Sequence, residues 1–257
     1  MAVLVAKALF APMLLAACAF ATTRWGAAVG GWLLGLPLVS GPVSYFLLVQ
    51  HGPGFAENAA RGTLLGMVGT GVFCVGYALT SKGRVWWQAL LFAAASSAAV
   101  TVALTQVHPD FTAAILFAIV FLGLLAVVVG GPEQETDVPS AKLHTLFVRM
   151  AAASAVVVGV TLTSTQLGPQ LSGLLTAVPV ISAIMAVSTH RSGGSDSVRG
   201  LMRGAVSGLW GGAAFFAVVG LLVAGSAPAI TYLVATAAAG LVAAVFGRVM
   251  SSRRLSA

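Results

Sequence analysis

Pro37, Ser40, Gly41, Pro42, Pro179 and Ser182, with the cations Lys7, Arg61, Arg149 and Arg199, have the types and spacing to hold a small solute. The stretch Gly35-Leu36-Pro37-Leu38-Val39-Ser40-Gly41-Pro42 sets two prolines five residues apart beside glycines. Each proline removes a backbone donor and crowds the preceding turn, so an unbroken α-helix is excluded there. Thr176 to Ser182 carries one such interruption, at Pro179. Non-helical backbone at membrane depth needs protein or a water-lined cavity to satisfy it. Paired Gly/Pro-interrupted spans at matching positions are the sequence mark of a transporter site. The plainer alternative is a pair of proline kinks whose freed carbonyls are bonded by the Ser40 and Ser182 hydroxyls. Symmetric cations facing the cavity would suit an anion, helped by the positive ends of unwound helices. The competing reading of these cations is snorkelling to the interface.

Other chemistry is sparse. The six acids (Glu57, Asp110, Glu133, Glu135, Asp137 and Asp196) all fall in expected loops, so a carboxylate relay at membrane depth is not expected. Cys18 and Cys74 lie in apolar runs without metal or redox spacing and read as packing residues. His51 and His190 sit at expected boundaries and could titrate near neutral pH, or simply mark the interface; His108 and His144 lie in loops. No nucleophile–base pair, metal-ligand set or phosphate loop stands out. The expectation is a protein that is not an enzyme, with no catalytic residues, no metal and no cofactor.

The elements that would position these residues follow from composition. Of 257 residues, 59% are hydrophobic and only 7% charged, with mean hydropathy +1.01. Soluble domains carry roughly a quarter charged residues, so the solvent expected here is the lipid bilayer. Segments 3–22, 26–50, 62–81, 85–105, 111–130, 146–164, 168–189, 201–224 and 227–247 are each long and apolar enough to span it. With Arg248, Arg253 and Arg254 in the cytoplasm, the N-terminus lies outside. All of the 13 basic residues except Lys7 and Arg61 then fall on the inner side. That asymmetry accounts for the +7 charge without a nucleic-acid partner. Residues 1–22 could pass for a cleaved secretion signal, but their counterpart later in the chain argues that they are structural.

Sliding the chain against itself by 142 residues sets Lys7 on Arg149, Gly26 on Gly168, Gly31 on Gly173, Pro37 on Pro179 and Ser40 on Ser182. With a short loop deletion, His51 meets His190, and Arg61-Gly62-x-x-x-Gly66 meets Arg199-Gly200-x-x-x-Gly204. The fold expected is all-α and polytopic: about nine transmembrane helices as two inverted four-helix repeats joined by a linking helix. The divisions are residues 1–106, the linking helix and polar loop 107–144, the second repeat 145–247, and a basic tail 248–257. Each Arg-Gly-x-x-x-Gly would permit close helix packing in lipid.

Lys7-Ala8-Leu9, the interrupted second helix with Pro37 and Ser44-Tyr45-Phe46, and Arg61 to Gly66 resemble the GlpM-type bacterial inner-membrane proteins, here duplicated. The second copy offers Arg149, Pro179 and Arg199 to Gly204. The fusion, the fifth helix and Pro42 depart from that pattern. The resemblance implies a multi-pass protein of the cell inner (plasma) membrane and no defined activity. The function expected is a permease for a small anionic, neutral or lipid-linked metabolite, working by alternating access. The alternative is a non-transporting subunit of an envelope or polysaccharide assembly system. A homodimer or a complex with a membrane partner fits either.

Overall fold

The computed structural model describes residue 13 and residues 16–38, 40–129 and 179–252, with side chains described through residue 246. Lys7, Arg149, the expected span 146–164, most of 3–22 and the first half of 168–189 lie outside the described residues. Every regular element among those described is helical: α1 Ala27–Gly35, α2 Ser40–His51, α3 Pro53–Thr80, α4 Trp86–Thr105, α5 Phe111–Val129, α6 Val180–Leu222 and α7 Pro228–Ser252. They supply six spans long and apolar enough to cross a membrane, α1 and α2 together forming one of them.

Burial sorts the helices into a centre and a rim. The apolar window of α3 is 89% buried and that of α6 67%, whereas those of α4, α5 and α7 are 22, 28 and 22% buried. The rim helices expose Leu91, Val102, Leu116, Val120, Val127, Leu233 and Leu241. An apolar surface this continuous requires lipid or protein against it. The two central helices are glycine- and alanine-rich because their backbones must come close.

α1 runs alongside the later part of α6 in the same direction, backbone on backbone. A Cβ on Gly31 would fall on the Leu201 carbonyl, one on Gly204 on the Ala28 carbonyl, and one on Gly208 on the Trp32 carbonyl. Of the expected Gly200-x-x-x-Gly204 pair, Gly204 makes such a contact, the next glycine in register at the seam is Gly208, and the partner helix carries Gly31 and Gly35. α3 and α6 cross antiparallel. Thr63 shares a crevice with Phe216, Met67 reaches Gly212, and Gly71 reaches Leu209, so residue numbers rise on one helix as they fall on the other.

Two helix breaks use glycine. Gly52, between α2 and α3, has φ 85 and ψ 174. Gly194, inside α6, has φ 77 and ψ −171, so α6 is in effect two helices, 180–193 and 195–222. This conformation is open to glycine and strained for any residue with a Cβ.

Local structure recurs at the 142-residue offset without a gap. Gly52 and Gly194 are that far apart, as are the ends of α3 and α6 at Thr80 and Leu222, and the starts of α4 and α7 at Trp86 and Pro228. The bond from Gly41 N–H to the Pro37 carbonyl, 2.8 Å, recurs from Ala183 N–H to the Pro179 carbonyl at 2.8 Å. The bond from Ser81 N–H to the Tyr77 carbonyl, 2.9 Å, recurs from Val223 N–H to the Val219 carbonyl at 2.9 Å. A Cβ on Gly69 would approach Ser97 and Thr101 of α4, and one on Gly211 the matching Ala239 and Ala243 of α7. With no deletion, the residue matching Arg61 is Arg203, not Arg199. Arg61-Gly62-x-x-x-Gly66-x-x-Gly69 then answers Arg203-Gly204-x-x-x-Gly208-x-x-Gly211.

Candidate functional site

The break expected near Pro37 is present, and it lies between Gly35 and Ser40. Leu36 is the C-cap of α1 in extended conformation, and Leu38 N–H turns back to the Leu36 carbonyl at 2.8 Å. Pro37 has no N–H to lose at this point, and its carbonyl accepts from Gly41. Pro42 was expected to add to the interruption. Instead it lies in the first turn of α2, where backbone N–H groups have no helical partner and a proline is tolerated. One proline makes the break.

Below the break, Ser40, Val43, Ser44 and Leu47 share one face of α2 by their spacing of three and four. They line a crevice closed on the other side by Ala59, Ala60 and Thr63 of α3, with Phe216 of α6 at its end. Its empty space, open mouth included, is about 220 Å³. Ala59 and Ala60 are the reason for the space: larger residues there would fill it. Gly41 packs beside Phe215, where an added Cβ would stand 3.2 Å from Cζ.

The polar groups are hydroxyls. Ser44 Oγ lies 2.6 Å from Tyr232 Oη on α7, and the Tyr232 ring is held edge-on by Tyr45 and Phe215. Thr63 donates to the Ala59 carbonyl at 2.8 Å within its own helix. Ser40 adds a third hydroxyl at the α2 start. Pro179 and Ser182 occupy the corresponding place at the start of α6, Ser182 buried, and do not line this crevice.

Neither described arginine of the expected set faces the crevice. Arg61 donates to the Pro109 carbonyl at 3.1 Å and to Asn58 at 2.7 Å. Arg199 lies 4.0 Å from Asp196 one turn away, both part-exposed. Arg203, which the sequence reading left out of the set, donates Nε to the Val129 carbonyl at 2.9 Å. The two arginines matched by the 142 offset therefore hold the two ends of α5: Arg61 just before its start, Arg203 at its last residue. At the latter end the cation also meets the negative pole of the helix. Asp110 caps the opposite end through Ala113 N–H at 2.6 Å.

Arg203→Ala is expected to loosen α5 and lower the thermal midpoint of the detergent-solubilised protein. A hydrogen bond from a charged group is worth about 1.5–3 kcal/mol. An unchanged midpoint would show that the clamp contributes nothing.

Another polar cluster lies across the molecule. Tyr77 Oη stands 3.3 Å from His190 Nδ1 and 3.4 Å from the Trp86 carbonyl, and the Arg191 guanidinium lies over the Trp86 ring at 5.6 Å. His51, the other boundary histidine, is exposed at the end of α2 and rests on Phe55. Among the described residues no three His, Cys, Asp or Glu side chains converge as a metal site would require.

Comparison with known protein families, curated proteins and solved structures finds no match for the chain. The class defined by its own structure is a protein that is helical in every regular element among the described residues, with six spans there long and apolar enough to cross a membrane.

Proposed function

We propose that the chain is a permease of the cell inner membrane that moves a small polar solute by alternating access between two inverted four-helix repeats. The linking helix is α5, the N-terminus is outside and the basic tail inside. The observation that carries this reading is the antiparallel crossing of α3 and α6, whose breaks, ends and contacts are matched at one constant offset. Two copies inserted in opposite senses require such a crossing, and carriers built this way keep their site at the interrupted helices. The crevice beside the Pro37 break supports the same reading.

The test is reconstitution in proteoliposomes with a panel of small neutral and anionic solutes. A carrier gives saturable uptake accelerated by the same solute on the far side. If no solute shows saturation while the protein stays folded, and a membrane partner co-purifies in fixed ratio, the assembly-subunit alternative replaces this one.

A further inference from the structure

We propose that the turn between α3 and α4, with the end of the first part of α6 packed against it, is a docking surface for the anionic headgroups of membrane phospholipids. Lys82, Arg84 and Arg191 supply the charge, and Trp86 and Trp87 the anchor. This goes beyond the permease reading, because the surface is argued from charge and packing and does not depend on transport.

Buried contacts bring the pieces together. Tyr77 Oη, near the end of α3, lies 3.4 Å from the Trp86 carbonyl at the start of α4 and 3.3 Å from His190 Nδ1 on α6. That link sets the next residue, Arg191, over the Trp86 ring, its guanidinium carbon 5.6 Å from the ring centroid. A cation–π contact uses the flat face of the guanidinium and leaves its N–H edges for oxygen acceptors, a fork that suits phosphate. Lys82 and Arg84 are exposed in the turn that leads into Trp86. Among the described residues none of these three cations has a carboxylate within ion-pair distance, and Asp196, further along α6, is placed with Arg199.

Charge is divided unevenly between the two ends of the helix bundle. The Gly26 turn, with Arg24 and Trp25, lies at this same end, because α1 starts there and its Gly31 meets Leu201, just past the α6 break. At the opposite end, where Arg61 reaches the α4–α5 turn, the charged residues are Arg61, Glu57 and Asp110. Trp25, Trp86 and Trp87 are all exposed, and all at the basic end. Exposed tryptophans beside cations mark a membrane–water boundary, and basic clusters at that depth hold acidic headgroups. In the proposed orientation this end faces the cytoplasm, whose leaflet carries the anionic lipid.

The second half of the chain is an internal control. At the 142-residue offset Lys82, Arg84, Trp86 and Trp87 become Ala224, Ser226, Pro228 and Ala229, and Arg191 answers to Val49. Val49 is 64% exposed, so a cation has room there too. The backbone of the turn needs neither cations nor tryptophan. What sets the two turns apart is the surface each one meets.

The experiment is native mass spectrometry of the full chain in neutral detergent, titrated with phosphatidylglycerol or phosphatidylcholine of the same acyl chains. A Lys or Arg at an anionic surface is worth about fivefold in affinity, so phosphatidylglycerol is expected to bind at least about tenfold tighter than phosphatidylcholine. Lys82→Gln, Arg84→Gln and Arg191→Gln together should erase that preference. Lys82→Gln with Arg84→Gln, which leaves the Arg191–Trp86 contact in place, should remove most of it, and Lys82→Arg, Arg84→Lys and Arg191→Lys together should keep it. Equal binding of the two lipids by the native chain, or a preference untouched by the glutamine variants, overturns the proposal. So does displacement of phosphatidylglycerol by an equal concentration of glycerol phosphate, which would make the ligand a free phosphate. A preference that rises about tenfold on Glu133→Gln, Glu135→Gln and Asp137→Asn would assign the surface to the chain's own acidic loop instead. Uptake without lipid preference leaves the permease and removes this surface, and preference without uptake does the reverse.

Discussion

Gly208→Leu is expected to abolish folded protein, leaving aggregated material on size-exclusion chromatography in detergent. A Cβ at this position would overlap the Trp32 carbonyl oxygen and stand 2.9 Å from the Gly35 Cα. The obstacles are backbone atoms of α1, which cannot rotate away as a side chain can. Ordinary core overpacking costs about 1–3 kcal/mol, and a clash with a neighbouring helix backbone lies at or beyond the upper end. Gly240→Leu is the matched control. Gly240 has nothing within 4 Å of an added Cβ, so leucine there keeps or slightly raises stability through its better helix propensity. Equal melting of the two variants would disprove the close seam between α1 and α6.

Gly52→Ala and Gly194→Ala should each destabilise the protein for a different reason. No atom lies within 4 Å of a Cβ at either place, so crowding is absent. The cost is conformational, since φ of 85 and 77 with ψ near 180 is a region almost reserved to glycine, and strain there is of order 1–3 kcal/mol. Gly54→Ala, two residues into the same turn region but helical and uncrowded, should be neutral or mildly stabilising. Thermal denaturation of the three variants gives the comparison. Should Gly52→Ala and Gly194→Ala melt no earlier than Gly54→Ala, the two breaks are not held as described.

Local chemistry was readable from the residues, and long-range pairing was not. Pro37 announces its break because a missing N–H and a fixed φ act within one turn. Pro42 looks equally disruptive in sequence, yet its effect depends on where α2 begins, and one residue's register makes it harmless. The Arg-Gly-x-x-x-Gly signal correctly marked a close helix contact at Gly204, while Gly31 and Gly35 could be named as its partners only from the packing. A presumed loop deletion sent Arg61 to Arg199. Keeping the offset constant leads to Arg203, since the loop around Gly194 is a single-residue break within one continuous run of helix. Ser44 was within reach of sequence reasoning, being one turn after Ser40. Tyr232 was not, because its hydroxyl reaches Ser44 from a helix 188 residues away. The void at Ala59 and Ala60 is created by small side chains and has no motif of its own.

The glycine seam also decides which parts of the molecule can move independently. Side chains that interlock can change rotamer and let two helices slip past one another. Peptide groups pressed together have no such freedom, so α1 and the later half of α6 must travel as one rigid block. Backbone free of such crowding is found instead at the two glycine breaks, Gly52 between α2 and α3 and Gly194 inside α6, and a change of shape is expected to concentrate there rather than in the seam.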